Sequence, residues 1–136
     1  MTDEQQSIRD RYHTQARSAL TKIKTQVDEL RVQADLAQAE ARDRLQQGVE
    51  GLRSRESKAK VKLDEAQVAG EDVWKTVAKQ AEQVVDDLGD AFSKLAAEVQ
   101  TAVGKAGAAA SKGRDAFLDE WNKERADREK LLDDTQ

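Results

Sequence analysis

Apolar residues return at alternating steps of three and four through nearly the whole chain, and no proline interrupts them. The first series is Ala16, Leu20, Ile23, Val27, Leu30, Ala34, Ala37 and Ala41. A four-four step through Leu45 and Val49 leads on to Leu52, Glu56, Ala59, Leu63 and Ala66. A second series follows: Trp74, Ala78, Ala81, Val85, Leu88, Phe92, Leu95, Val99 and Ala102. A mean step of 3.5 lines one face of a helix, whereas a strand repeats every two residues. Asn-Gly and Asp-Gly hairpin turns do not occur and β-branched runs are short, so the expected class is all-α. The four-four step is a stutter in a coiled-coil seam, which locally unwinds it.

Punctuation is sparse. Gly48 and Gly51 fall where the seam continues in phase, so they sit inside a helix expected over about 4–69. Gly70 follows Lys58, Lys60 and Lys62 and precedes Glu71 and Asp72. Cations suit a helix C-terminus, glycine the position beyond it, and carboxylates the next N-terminus. The turn is placed at about 69–72, with a second helix over about 72–134, weakest at 104–113 where Gly104, Gly107 and Gly113 cluster.

Folding back at Gly70 sets Leu63 against Ala78, Val49 against Phe92 and Leu45 near Leu95. It also sets Ala34 and Ala37 against Gly107 and Gly104, Leu20 against Trp121 and Ile23 against Leu118. Arg53 and Arg55 fall near Asp86, Asp87 and Asp90. The architecture expected is a long antiparallel helical hairpin with arms of roughly 95–100 Å. Trp74, Phe92, Phe117 and Trp121 are bulky for a two-helix seam. Two hairpins are therefore expected to associate into a four-helix bundle, as a homo-oligomer and most simply a dimer. The interface between copies is assigned to Val49, Leu52, Trp74, Val85, Leu88 and Phe92. The alternative is a three-helix bundle with a second break at 104–113.

Chemistry-bearing patterns are few. His13 is the lone histidine, three residues after Asp10, and it is read as solvent-exposed. Cysteine is absent, so there is no disulfide framework or thiolate ligand. No nucleophile elbow and no phosphate-binding Gly-Lys-Ser/Thr motif occurs. No catalytic residue, metal ligand or cofactor is assigned. The basic group Arg53, Arg55, Lys58, Lys60 and Lys62 reads as a solvated face pairing with an acidic helix, and Asp86, Asp87 and Asp90 as surface carboxylates. The net charge of −4 argues against nucleic acid as a partner. The first residues are polar and acidic, without the apolar core of a secretory signal, and a cytoplasmic location is expected.

Around Ala69-Gly70-Glu71-Asp72-Val73-Trp74, between two charged helical arms, the chain resembles a loose group of small uncharacterised bacterial coiled-coil proteins. Some of these look like exchangeable apolipoproteins, phasins or late-embryogenesis-type stress proteins. The resemblance implies a stress-related or surface-coating role and transfers no catalytic residue. The chain lacks the regular 11-residue repeat of the late-embryogenesis pattern. The functional expectation is a non-enzymatic structural or interaction protein that self-associates. The alternative is reversible binding to lipid or granule surfaces through the stripe 73–103, with Lys75, Lys79 and Lys94 at its edges.

Overall fold

A computed structural model of the chain describes residues 2–104 and 108–134. It holds four α-helices: α1 (Asp3–Ala34), α2 (Ala39–Val68), α3 (Trp74–Val103) and α4 (Ala108–Asp133). No strand occurs among the described residues. The helices are 26 to 32 residues long, roughly 40–48 Å each. They pack as an antiparallel up-down-up-down bundle. Both α1 and α3 touch all the other helices, while α2 and α4 barely meet. The cross-section is thus a rhombus with α1–α3 as its short diagonal.

The turn at Gly70 stands where the sequence places it. The Gly70 carbonyl accepts from the backbone N–H groups of Val73 and Trp74 at 3.1 and 2.9 Å, which starts α3. The α2–α3 hairpin also keeps its expected register to within one or two residues. Gly48 lies under Leu95, and Arg55 Nε pairs with Asp87 Oδ2 at 3.3 Å. Arg53 instead reaches back to Asp28 at 2.6 Å, while Asp86 and Asp90 pair with Arg125 at 3.1 and 3.2 Å.

The continuous helix over 4–69 is corrected: it is divided at residues 35–38. Neither glycine nor proline marks the break. The N–H groups of Asp35, Leu36 and Ala37 bond three residues back, to Val32, Gln33 and Ala34. Gln38 is extended, with φ −64° and ψ 155°, before α2 begins. The apolar seam stays in phase across the kink, with Ala34, Ala37 and Leu45 buried on either side of it. Periodicity therefore cannot reveal it. The second arm breaks at the same height of the expected hairpin. Gly104 ends α3 at φ +57° and ψ −130°, a conformation open to glycine and costly for other residues. The part of the 104–113 segment over 105–107 lies outside the described residues.

The result is the expected hairpin doubled over at its waist. One chain supplies all four helices of the section that two hairpins were expected to share, and the three-helix alternative is likewise superseded. Because both arms fold back, α1 and α4 still run antiparallel to each other. Their register is five or six residues from the expected one, with Lys22 on Glu124 and Arg114 on Gln33.

Candidate functional site

Seven-residue spacing on α4 places Arg114, Trp121 and Arg128 on one face. On α3 it places Glu82, Gly89 and Ala96 on another. The bundle brings these two rows together as three rungs. Arg128 Nε and Nη2 bond Glu82 Oε1 and Oε2 at 2.9 and 3.2 Å. The Trp121 indole lies over Gly89, where a Cβ would stand 2.2 Å from Nε1. Arg114 Nη1 bonds the Ala96 carbonyl at 3.0 Å, and its Nη2 bonds Gln33 Oε1 on α1. Large side chains on α4 thus face small or opposite-charged ones on α3. A slip of one heptad would put a guanidinium on Gly89 and the indole on a carboxylate.

The Glu82 rung is the most polar part of the core. The Arg128 side chain is wholly buried and that of Glu82 is 5% exposed. The Tyr12 hydroxyl on α1 donates to Glu82 Oε1 at 3.1 Å, with the Ala78 carbonyl at 3.3 Å. Burial, then the Glu82 charge, pushes the Tyr12 phenol far above its usual range, so it stays protonated as a donor. The Arg128 guanidinium also stands 5.5 Å above the Trp121 ring. Asp86, one turn along, is pushed up to about 7 by burial and then by its hydrogen bond to and repulsion from Glu82, against the pull of Arg125 and Arg128.

A second polar group joins α1 to the start of α3. Trp74 Nε1 donates to His13 Nε2 at 3.0 Å. That bond needs a lone pair on Nε2, so the neutral ring carries its proton on Nδ1. His13 is 7% exposed, which corrects the expectation of a solvent-facing histidine. Burial, then the nearby Arg9 and Arg17 charges, lowers it to about 4. Arg9 stacks 5.6 Å from the Trp74 ring. Its Nη2 also reaches the carbonyls of Ala66, Gln67 and Ala69 at 3.2, 2.9 and 2.7 Å. These belong to the last turn of α2, which has no basic residue of its own. The guanidinium from α1 therefore caps that helix end, the role that the sequence suggested for Lys58, Lys60 and Lys62.

The six side chains assigned to contact between copies lie elsewhere than expected. Val49, Leu52, Trp74, Val85, Leu88 and Phe92 are all at most 3% exposed within one chain. Their aromatic bulk is covered from inside: Trp74 meets Tyr12 and His13 edge-on at 6.0 Å, and Phe92 meets Phe117 at 5.6 Å. They form the intrachain core, and in this closed bundle none offers a face to another copy.

Grooves run along the surface of the described residues. One of about 380 Å³ between α1 and α2 is lined by Arg17, Leu20, Thr21, Lys24, Glu56 and Lys60, among others. Among the described residues, no group of three or more His, Cys, Asp or Glu side chains is arranged to hold a metal ion, and no helix is long and apolar enough to cross a membrane. The large exposed hydrophobics gather at two turns. Val32 and Leu36 flank the α1–α2 kink, and Val68 and Val73 flank the Gly70 turn, with Val61 alone on a long face. The buried polar groups can tie helices together and fix their register. No protein-family model matches the chain, and no curated protein and no solved structure matches it either.

Proposed function

We propose that the protein is a non-enzymatic structural or interaction protein that self-associates, most simply as a dimer, in an aqueous compartment such as the cytoplasm. One observation carries this reading: four polar pairs in the core each bond side chain to side chain between two helices. Glu82 with Arg128, Tyr12 with Glu82, His13 with Trp74, and Arg114 with Gln33 each join two helices. Groups so engaged hold an architecture. The apolar residues left exposed sit mainly at the turns, where contact between copies would cover them. Sedimentation equilibrium over a wide concentration range tests this. Growth from the 15.1 kDa chain to a defined multiple supports self-association, and a single species at chain mass at every concentration refutes it.

Binding to a lipid or granule surface is the second reading. It is favoured by α3, whose buried stripe runs from Trp74 to Val99 with Lys79 and Lys94 exposed beside it. That stripe faces the core, so this reading requires the bundle to open. Flotation with phosphatidylcholine–phosphatidylglycerol vesicles separates the two: a self-associating bundle stays in the soluble fraction, and a surface coat floats.

A further inference from the structure

We propose that α1 is an exchangeable arm. It leaves its own chain by straightening at residues 35–38 and docks in the same groove of a second copy, which returns its own α1. This rests on the self-association proposed above and states how it occurs.

The hinge carries the argument first. Residues 31–42 contain neither glycine nor proline and are rich in Ala, Gln and Arg, which favour helix. Gln38 is extended in the closed bundle, while Asp35 is still helical. The α2 N-terminus that follows it has no side-chain cap. Straightening therefore converts two helix ends into helix interior and supplies backbone bonds that the kink withholds. One latch at the kink is local: Gln46 Nε2 donates to the Arg31 carbonyl at 3.1 Å and to Asp35 Oδ1 at 2.6 Å.

The vacated groove specifies its occupant. It presents the Trp74 indole N–H that His13 accepts, the Glu82 oxygen that Tyr12 bonds, and the Ala69 carbonyl that Arg9 caps. A lipid surface leaves these groups unpaired in an apolar setting, which is costly. Another copy of α1 satisfies each one. Val32 and Leu36 supply an independent observation. They lie one turn apart on the hinge and are 66% and 62% exposed in the closed chain. In the exchanged dimer the two straightened hinges run side by side, and these apolar pairs meet there. Reciprocal exchange of an identical element is a low-cost route to a dimer, favoured by short hinge connections.

The test uses Ala39→Pro. Ala39 is the first residue of α2, and Gln38 before it already has the extended conformation that precedes proline. Proline there suits the kink. In a straight helix it removes a backbone bond and clashes with the preceding turn. The chain has no cysteine, so a Lys22→Cys chain and a Glu124→Cys chain can be mixed and treated with a short bis-maleimide. Those positions lie 2.9 Å apart at their charged tips. The expected result is a two-chain product from the mixture that falls at least about 100-fold with Ala39→Pro, while helicity and melting are kept. Gln46→Ala, which removes the latch, should raise the dimer fraction; an unchanged fraction counts against the hinge even if the proline variant fails to fold. Dimers that yield no two-chain product refute exchange and leave self-association standing. A monomer at every concentration refutes both.

Discussion

Gly89 and Trp121 occupy one another's space: the indole of α4 rests where any side chain at residue 89 would stand, 2.2 Å from its Nε1 and 2.6 Å from its Cε2. Alanine raises helix propensity over glycine by about 1 kcal/mol, yet here the methyl must displace a buried ring. Overpacking typically costs about 1–3 kcal/mol. Gly89→Ala should therefore destabilise the bundle, lowering the melting temperature by several degrees. Gly113→Ala, with open space around its Cβ, should raise stability by about 0.5–1 kcal/mol. Urea denaturation of the two variants checks both signs.

The Glu82–Arg128 pair should behave as a buried pair whose partners depend on each other. Glu82→Ala leaves the Arg128 guanidinium uncompensated in the core and should cost about 3–5 kcal/mol. Replacing both, as Glu82→Leu with Arg128→Met, removes the unpaired charge, so the double variant should be clearly more stable than the two single losses imply. A double-mutant cycle on unfolding free energies reads the coupling. Additive losses would mean that the pair contributes nothing as a pair.

His13 and Asp86 should oppose each other in acid. The His13 pKa falls to about 4 on folding from 6.5, so the unfolded chain binds the proton first. Its contribution is complete above pH 6.5 and is lost as pH falls toward 4. The Asp86 pKa rises to about 7 from 3.8, so the folded chain binds that proton first. Its contribution is complete below about pH 3.8 and is lost as pH rises through 7. Glu56, raised by burial, acts in the same direction as Asp86. Melting scans across pH 4–8 should be shallow in the parent chain. Asp86→Asn should steepen the loss toward acid, and His13→Gln should leave stability falling as pH rises. Parallel profiles for all three proteins would contradict these assignments.

Legibility in the sequence followed packing rather than chemistry. The seam, the Gly70 turn, the α2–α3 register and the Arg55–Asp87 pair were readable because each depends on periodicity or on glycine. The kink at residues 35–38 was not, because its segment favours helix and the seam runs through it unbroken; only the burial gained by doubling over selects it. Glu82, Arg114 and Arg128 carry no motif that singles them out, although seven-residue spacing through Trp121 and Gly89 marks them. Nothing local signals the burial of His13, which depends on Trp74 arriving from the start of α3.

Arg9 is a cap supplied from another helix, and its removal should be felt where it binds. Arg9→Ala loses contacts with three carbonyls at the end of α2 and the stacking on Trp74. A global loss of about 1–2 kcal/mol is expected. Amide exchange should rise most in the last turn of α2 and at the Gly70 turn. A uniform rise along α2 would show that the guanidinium does not act as a cap.

The doubling of the hairpin at residues 35–38 is the claim on which the rest depends. Its most direct measurement is the distance between spin labels on Gln6→Cys and Glu65→Cys in protein dilute enough to be monomeric, repeated at further dilution. In the doubled chain the start of α1 lies beside the end of α2, as Arg9 does with Ala69. Neighbouring helix axes stand about 8–10 Å apart, so the account predicts a short distance, within about 25 Å once label arms are added, that survives the dilution. A continuous helix would hold the labels roughly 90 Å apart. A distribution lacking the short distance under these conditions would contradict the account.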